Sequence, residues 1–162
     1  MYHFAWATKL HEIGLTISHG GYHKHSAYIL ENADMPGFSR MDQGRLSNIV
    51  LGHRGKLERV QAVTNEPRDW LLIFCLRLAA LLHRARDDAA MPSLGVAAVE
   101  RGFHLLVDGD WLTASPLTAA TLDEEVRQWK ALGMELRIRR EHRSSRQMNQ
   151  DAGKSPANDQ SA

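Results

Sequence analysis

The chain has 162 residues, 43% of them hydrophobic and 24% charged. That balance belongs to a soluble protein of one domain or two small packed units, and excludes a wholly disordered, collagen-like or coiled-coil chain. Twenty lysines and arginines stand against nineteen acids, a net charge of +1, which excludes a bulk electrostatic hold on nucleic acid. The lone Cys75 excludes an internal disulfide framework and a four-cysteine zinc site, and suits a reducing cytoplasm.

Taken in chain order, Phe4, Ala7, Leu10 and Ile13 recur every three residues and predict a helix over 2–13, closed by Gly14 as a left-handed cap. Residues 14–24 hold Gly14, Gly20 and Gly21 with His19 and His23, and read as a loop. A second helix runs through HSAYILENA and stops at Met35-Pro36-Gly37. Ser39, with Asp42 three residues on, predicts the capped start of a third helix that ends near Gly52. The segment 52–60, GHRGKLERV, is basic and loop-like. Pro67 fits the first turn of a fourth helix, 68–86, apolar on most sides and so surrounded by other helices. Its apolar run from Trp70 to Leu82 is 13 residues and contains Arg77, too short for the roughly 20 residues of a transmembrane helix. No targeting signal opens the chain.

After Met91-Pro92 the pattern changes. VAAVERGFHLLVDGDWL alternates in part around Arg101-Gly102 and predicts a β-hairpin. Thr118 or Thr121 would cap a helix carrying Leu122, Val126, Trp129 and Leu132, with Asp123, Glu124 and Glu125 in its first turn. Gly133 closes that helix and MELRIRR alternates as a strand. The fold class is α+β: a helical domain over 1–90, a small β-β-α-β domain over 91–142, and a polar tail over 143–162 that reads as disordered.

Histidine is the compositional oddity, with six of nine in the first 53 residues. LHEIGL, residues 10–15, is similar to the signature turn of the HD superfamily of metal-dependent phosphohydrolases, where imidazole and carboxylate hold a divalent ion that activates water. Here the acid is Glu12, one methylene longer than Asp. The position where that family places its late Asp is Ala80. His11 and Glu12 therefore read as a degenerate HD position and, more simply, as a helix-end pair. His19, His23 and His25 have the donors for a three-nitrogen zinc site, against which the glycines of their loop speak. His23, Lys24, His25, Arg54 and Lys56 offer cations for phosphate groups, with a solvated basic face as the plain alternative. The run Arg137, Arg139, Arg140, Arg143 and Arg146, five positive charges against Glu141, suits either a polyanion or a charged edge strand that discourages aggregation. Cys75 lies in the most apolar helix, where a thiol is inert.

The blocks WATKLHEIGLTISHGGYHKHSAYILENADMPGFSR (6–40), VLGHRGKL (50–57), LRLAALLHRAR (76–86) and WK-x₂-G-x-ELRI (129–138) follow one another as in the exopolyphosphatase/guanosine pentaphosphate phosphohydrolase family, which the chain resembles over residues 2–142. The resemblance implies an HD-like helical domain with decayed metal ligands, followed by a small α/β domain. In that family two actin-like domains precede these and hold the catalytic glutamate and a divalent ion, Mg in the full-length parent. The C-terminal domains help form a homodimer and a path for inorganic polyphosphate. The chain is thus expected to be a fragment without catalytic residues or a cofactor of its own, binding polyphosphate at His23, Lys24, His25, Arg54 and Lys56 and supporting dimerisation. The alternatives are a stand-alone HD-type phosphohydrolase centred on His11 and Glu12, and an inert truncation.

Overall fold

A computed structural model describes residues 2–84 and 93–141. The expected tail, 143–162, lies outside the described residues. Helices α1 (Tyr2–Leu10), α2 (Tyr22–Asn32), α3 (Arg40–Gly52), the short α4 (Glu58–Gln61) and α5 (Pro67–Arg84) precede strand β1 (Leu94–Val99), β2 (Gly102–Asp108), α6 (Gly109–Ala114), α7 (Pro116–Ala131) and β3 (Glu135–Glu141). The architecture is α+β, helical first and sheet-containing second. No helix among the described residues is long and apolar enough to cross a membrane.

Locally encoded features stand where the sequence puts them. Ser39 Oγ accepts the Asp42 N–H at 3.1 Å and donates to the Asp42 carboxylate at 2.5 Å, so one hydroxyl caps α3 and pulls the Asp42 carboxyl below the usual range. Pro67 opens α5. Val99 pairs with Gly102 across a two-residue turn, and Gly133 closes α7 with φ +72. Gly102 has φ +151, and a Cβ there would strike the Glu135 carbonyl oxygen, so the turn admits glycine alone.

Other expectations need correction. α1 stops at Leu10, and a 3₁₀ turn (Ile13–Thr16) follows. Gly14 is not in the left-handed region. It is buried, and a Cβ there would collide with the Tyr22 carbonyl and lie 2.5 Å from the Ser26 nitrogen. Its role is close backbone approach to α2 rather than capping. α2 begins at Tyr22, after Gly21 at φ +70, so His23 is helical rather than in a loop. The basic 52–60 segment contains helix α4. α7 begins at Pro116, ahead of Thr118 and Thr121, which leaves Asp123, Glu124 and Glu125 in mid-helix. Before it stands the unexpected α6, capped by Asp108, whose Oδ1 accepts from Asp110 and Trp111 N–H.

The sheet has the order β1-β2-β3, antiparallel at β1/β2 and parallel at β2/β3. One continuous apolar core runs from Ala7 through α3 and α5 to the sheet and Trp129. At its centre Phe74 of α5 stacks on Phe103 of β2 with ring centroids 4.5 Å apart, and the Trp129 ring stands edge-on to Phe103 at 5.2 Å. These contacts place the turn after α3 against α5 and α7, where the polar side chains gather.

Candidate functional site

The turn 52–57 is held from beneath by Arg77. This guanidinium, 5% exposed, donates to the carbonyls of Gly52 at 2.9 Å and Gly55 at 3.0 Å. It also grips Glu125 of α7 in a two-pronged pair, Nε to Oε2 at 2.8 Å and Nη2 to Oε1 at 2.5 Å. A planar fork suits that geometry, and lysine could not reproduce it. Gln128 adds a second tie, its Oε1 accepting the Leu57 N–H at 3.2 Å. The helical and sheet-containing parts thus fix the turn jointly.

Upon that turn sit three histidine rings. His53 Nδ1 faces the Val50 carbonyl at 2.5 Å. A carbonyl only accepts, so Nδ1 carries the proton and Nε2 is left to accept from the Tyr22 hydroxyl at 3.4 Å. Arg54 donates to the same hydroxyl at 3.4 Å and lies over the Tyr22 ring at 5.2 Å. The rings of His11 and His23 stand edge-on to His53 at 5.2 and 6.2 Å. His53 is 2% and His23 6% exposed. Burial is the main cause that holds both imidazoles at a pKa of about 4. The positive charges of Arg59, Lys24, Arg54 and Arg77 add to it at His23. Gly55, φ +77, packs its backbone on the His23 ring, and a Cβ there would come 2.9 Å from Nε2.

Of the expected phosphate-binding residues, His23 and Arg54 come together here, with Lys24 near enough to act on His23. Lys24 and Arg54 face solvent, whereas His23 does not. His25 lies on the other side of α2, against Gly14. Lys56 lines a neighbouring groove with Glu58, Arg127 and Gln128. His11 Nδ1 donates to the Thr8 carbonyl at 3.0 Å and its Nε2 lies 3.9 Å from Glu12 Oε1, which is the helix-end pair. Among the described residues no three of His, Cys, Asp and Glu are placed to hold a metal ion. Ala80, where a late Asp would stand, lines a cleft of about 210 Å³ beside His53, Arg54 and Arg77. The donor set does not fit an HD metal centre, because the position of the late carboxylate holds only the methyl group of Ala80.

Tyr22, His53, Arg59, Arg77 and Glu125 were not selected from the sequence. Arg77 gave the clearest available signal, a lone charge inside an apolar helix, since a buried guanidinium demands a partner. The choice of Glu125 as that partner had no local signal.

The family model for the Ppx/GppA phosphatase, domain III, matches residues 2–126. The chain belongs to the Ppx/GppA phosphatase family. Its relatives include proteins named guanosine-5'-triphosphate,3'-diphosphate pyrophosphatase. That of Pseudoalteromonas translucida is 36% identical over 131 residues, 79% of this chain and 26% of the relative. That of Vibrio cholerae is 37% identical over 134 residues, 82% of this chain and 27% of the relative. The Aliivibrio fischeri protein is 32% identical over a similar span. The Ppx/GppA chain described here therefore spans about a quarter of the length of the curated relatives it matches.

Proposed function

We propose that this chain is a substrate-guiding C-terminal part of a Ppx/GppA phosphatase, which binds the phosphate chain of a polyphosphorylated substrate and pairs with a second copy. The parent reaction would be hydrolysis of a terminal phosphoanhydride, on inorganic polyphosphate or on guanosine pentaphosphate. The observation that supports this is that Arg54 lies over the Tyr22 ring beside His23, and that Arg59, Lys24 and Arg54 all bear on His23 with their positive charge. No carboxylate pairs with any of the three among the described residues. Arg77, the fourth cation, is neutralised by Glu125 and serves as support. Three unpaired cations on adjacent elements raise the local concentration of a polyanion, and a solvated lysine tracks a flexible phosphate chain without demanding one geometry. Lys56 would extend the track along α7. The buried histidines stay neutral at pH 7 and shape the wall beneath.

The test is filter binding of long-chain polyphosphate and of guanosine pentaphosphate to the chain, beside a phosphate-release assay with Mg²⁺. Binding that weakens with salt, without release, is expected, and the triple variant Lys24→Glu/Arg54→Glu/Arg59→Glu is expected to lose it at least tenfold. Release of phosphate would overturn the guiding role. Binding indifferent to the triple variant would move the site elsewhere.

A further inference from the structure

The two edges of the sheet differ in kind. β3 carries Glu135, Arg137, Arg139, Arg140 and Glu141, and charges along an edge keep other strands away. β1, at the opposite edge, reads LGVAAV, with no charge and no proline. Among the described residues it pairs with β2 alone, and Val96 and Val99 are 42% and 37% exposed. The register puts Leu94, Val96 and Ala98 opposite Val107, Leu105 and Phe103, all three of them buried. The even-numbered residues of β1 therefore belong to the helix-covered face of the sheet, yet Val96 and Ala98 overhang that cover. Beside them opens a cleft of about 460 Å³ lined by Pro67, Trp70 and Leu71 of α5, by Ala98, and by Met134.

We propose that β1 is the edge along which a second copy of this chain adds, antiparallel and about a two-fold axis, to make one six-stranded sheet. This rests on the proposal that the chain pairs with itself, and names the surface. The occupant follows from charge and symmetry. A strand paired antiparallel with its own copy is self-complementary, as a two-fold interface must be. At β1 that pairing brings no charge against a like charge, whereas β3 against β3 would set arginines against arginines. With Val96 opposite Val96 of the partner subunit, Leu94 meets Ala98 of the partner subunit. Every even-numbered side chain then stays on the helix-covered face, because paired residues share a face. The apolar overhang of each copy is covered by the other, and the added strand lies along the mouth of the Trp70 cleft.

The experiment is sedimentation equilibrium of the whole chain, wild type and Val96→Lys, with polyphosphate binding measured on the same samples. A dimer whose dissociation constant rises at least tenfold in Val96→Lys is expected. So is spontaneous disulfide cross-linking of Val96→Cys in a Cys75→Ser background. The cross-link decides the case by itself should Val96→Lys lose its far-UV circular dichroism. A dimer that is indifferent to Val96→Lys and does not cross-link at position 96 would overturn the edge pairing and leave self-association standing. A monomer at every concentration would overturn both, with polyphosphate binding still judged by its own assay.

Discussion

The two parts of this molecule share one apolar core and differ in how much polar material they bury beside it. To an apolar core of Leu30, Leu46, Ile49, Val60 and Ile73 the helical part adds buried polar side chains, among them Ser26, Gln43, Ser47, His23, His53 and Arg77. Ser26, Gln43 and Ser47 each donate to a backbone carbonyl of another segment, those of His11, Ala33 and Ala27. The sheet-containing part is filled by Phe103, Leu105, Val107, Leu112, Leu122, Trp129 and Leu136. The first part adds a stitching of directional bonds to its apolar packing, and those of Arg77 hold the turn that carries His53 and Arg54. The second is held by shape and apolar area. The Arg77–Glu125 pair joins them. The difference locates the candidate site on the stitched side and gives the apolar side the work of a brace.

Substitutions can break that comparison in order of size. Trp129→Ala, at the packed centre of the brace, is expected to cost about 4 kcal/mol, read as a lower urea midpoint. Arg77→Met is expected to cost about 3 kcal/mol, because Glu125 and the carbonyls of Gly52 and Gly55 lose their partner. The double variant Arg77→Met/Glu125→Leu should recover a large part of that loss, and no recovery would show that the carbonyl bonds, not the ion pair, hold the turn.

Acid tests the stitched side alone. His23 and His53 have folded pKa values of about 4 against 6.5 as the ordinary value. Between those limits the unfolded chain binds more protons, so the pair's contribution to stability is full above about pH 6.5, falls as the pH drops, and is lost below about 4. A loss of up to about 3 kcal/mol is expected for each of the two, and His23→Asn/His53→Asn should flatten the profile. Ser26→Ala removes the donor to His11 and the acceptor of Gly14 N–H and is expected to cost about 2 kcal/mol. Glu12→Gln, on an exposed side chain, should stay within about 0.5 kcal/mol and leave polyphosphate binding unchanged. A large effect there would revive a role for the His11–Glu12 turn.

What could be read in the sequence was what is decided within a few residues. Ser39 caps through Asp42, Pro67 starts a helix, Gly102 turns a hairpin and Gly133 ends α7, all by local stereochemistry. Gly14 looked like a cap because its meaning lies eight to twelve residues away, in the Tyr22 carbonyl and the Ser26 backbone that leave no room for a Cβ. His23 looked like a loop residue because Gly20 and Gly21 masked a helix start. Asp123, Glu124 and Glu125 mimicked a first turn, although Pro116 was the better start signal. Glu125 is in mid-helix to meet Arg77, 48 residues earlier. The cations were half legible: the charges of Lys24 and Arg54 are plain, but that Arg59 acts on the same ring as they do depends on the fold.

The parallel pairing of β2 with β3 carries a consequence for how the chain is made. The β1–β2 hairpin can close as soon as it leaves the ribosome, since its partners are adjacent. The inner edge of β2, with Gly102 awaiting Glu135 and Asp108 awaiting Glu141, stays open until α6 and α7 have been synthesised. Non-local pairing of that kind is slow, and a two-stranded ribbon alone is marginal in water. A product ending before Glu135 would therefore present Phe103, Leu105 and Val107 on an unclosed central strand, and quality control would meet it as an aggregation-prone chain rather than a shortened working one.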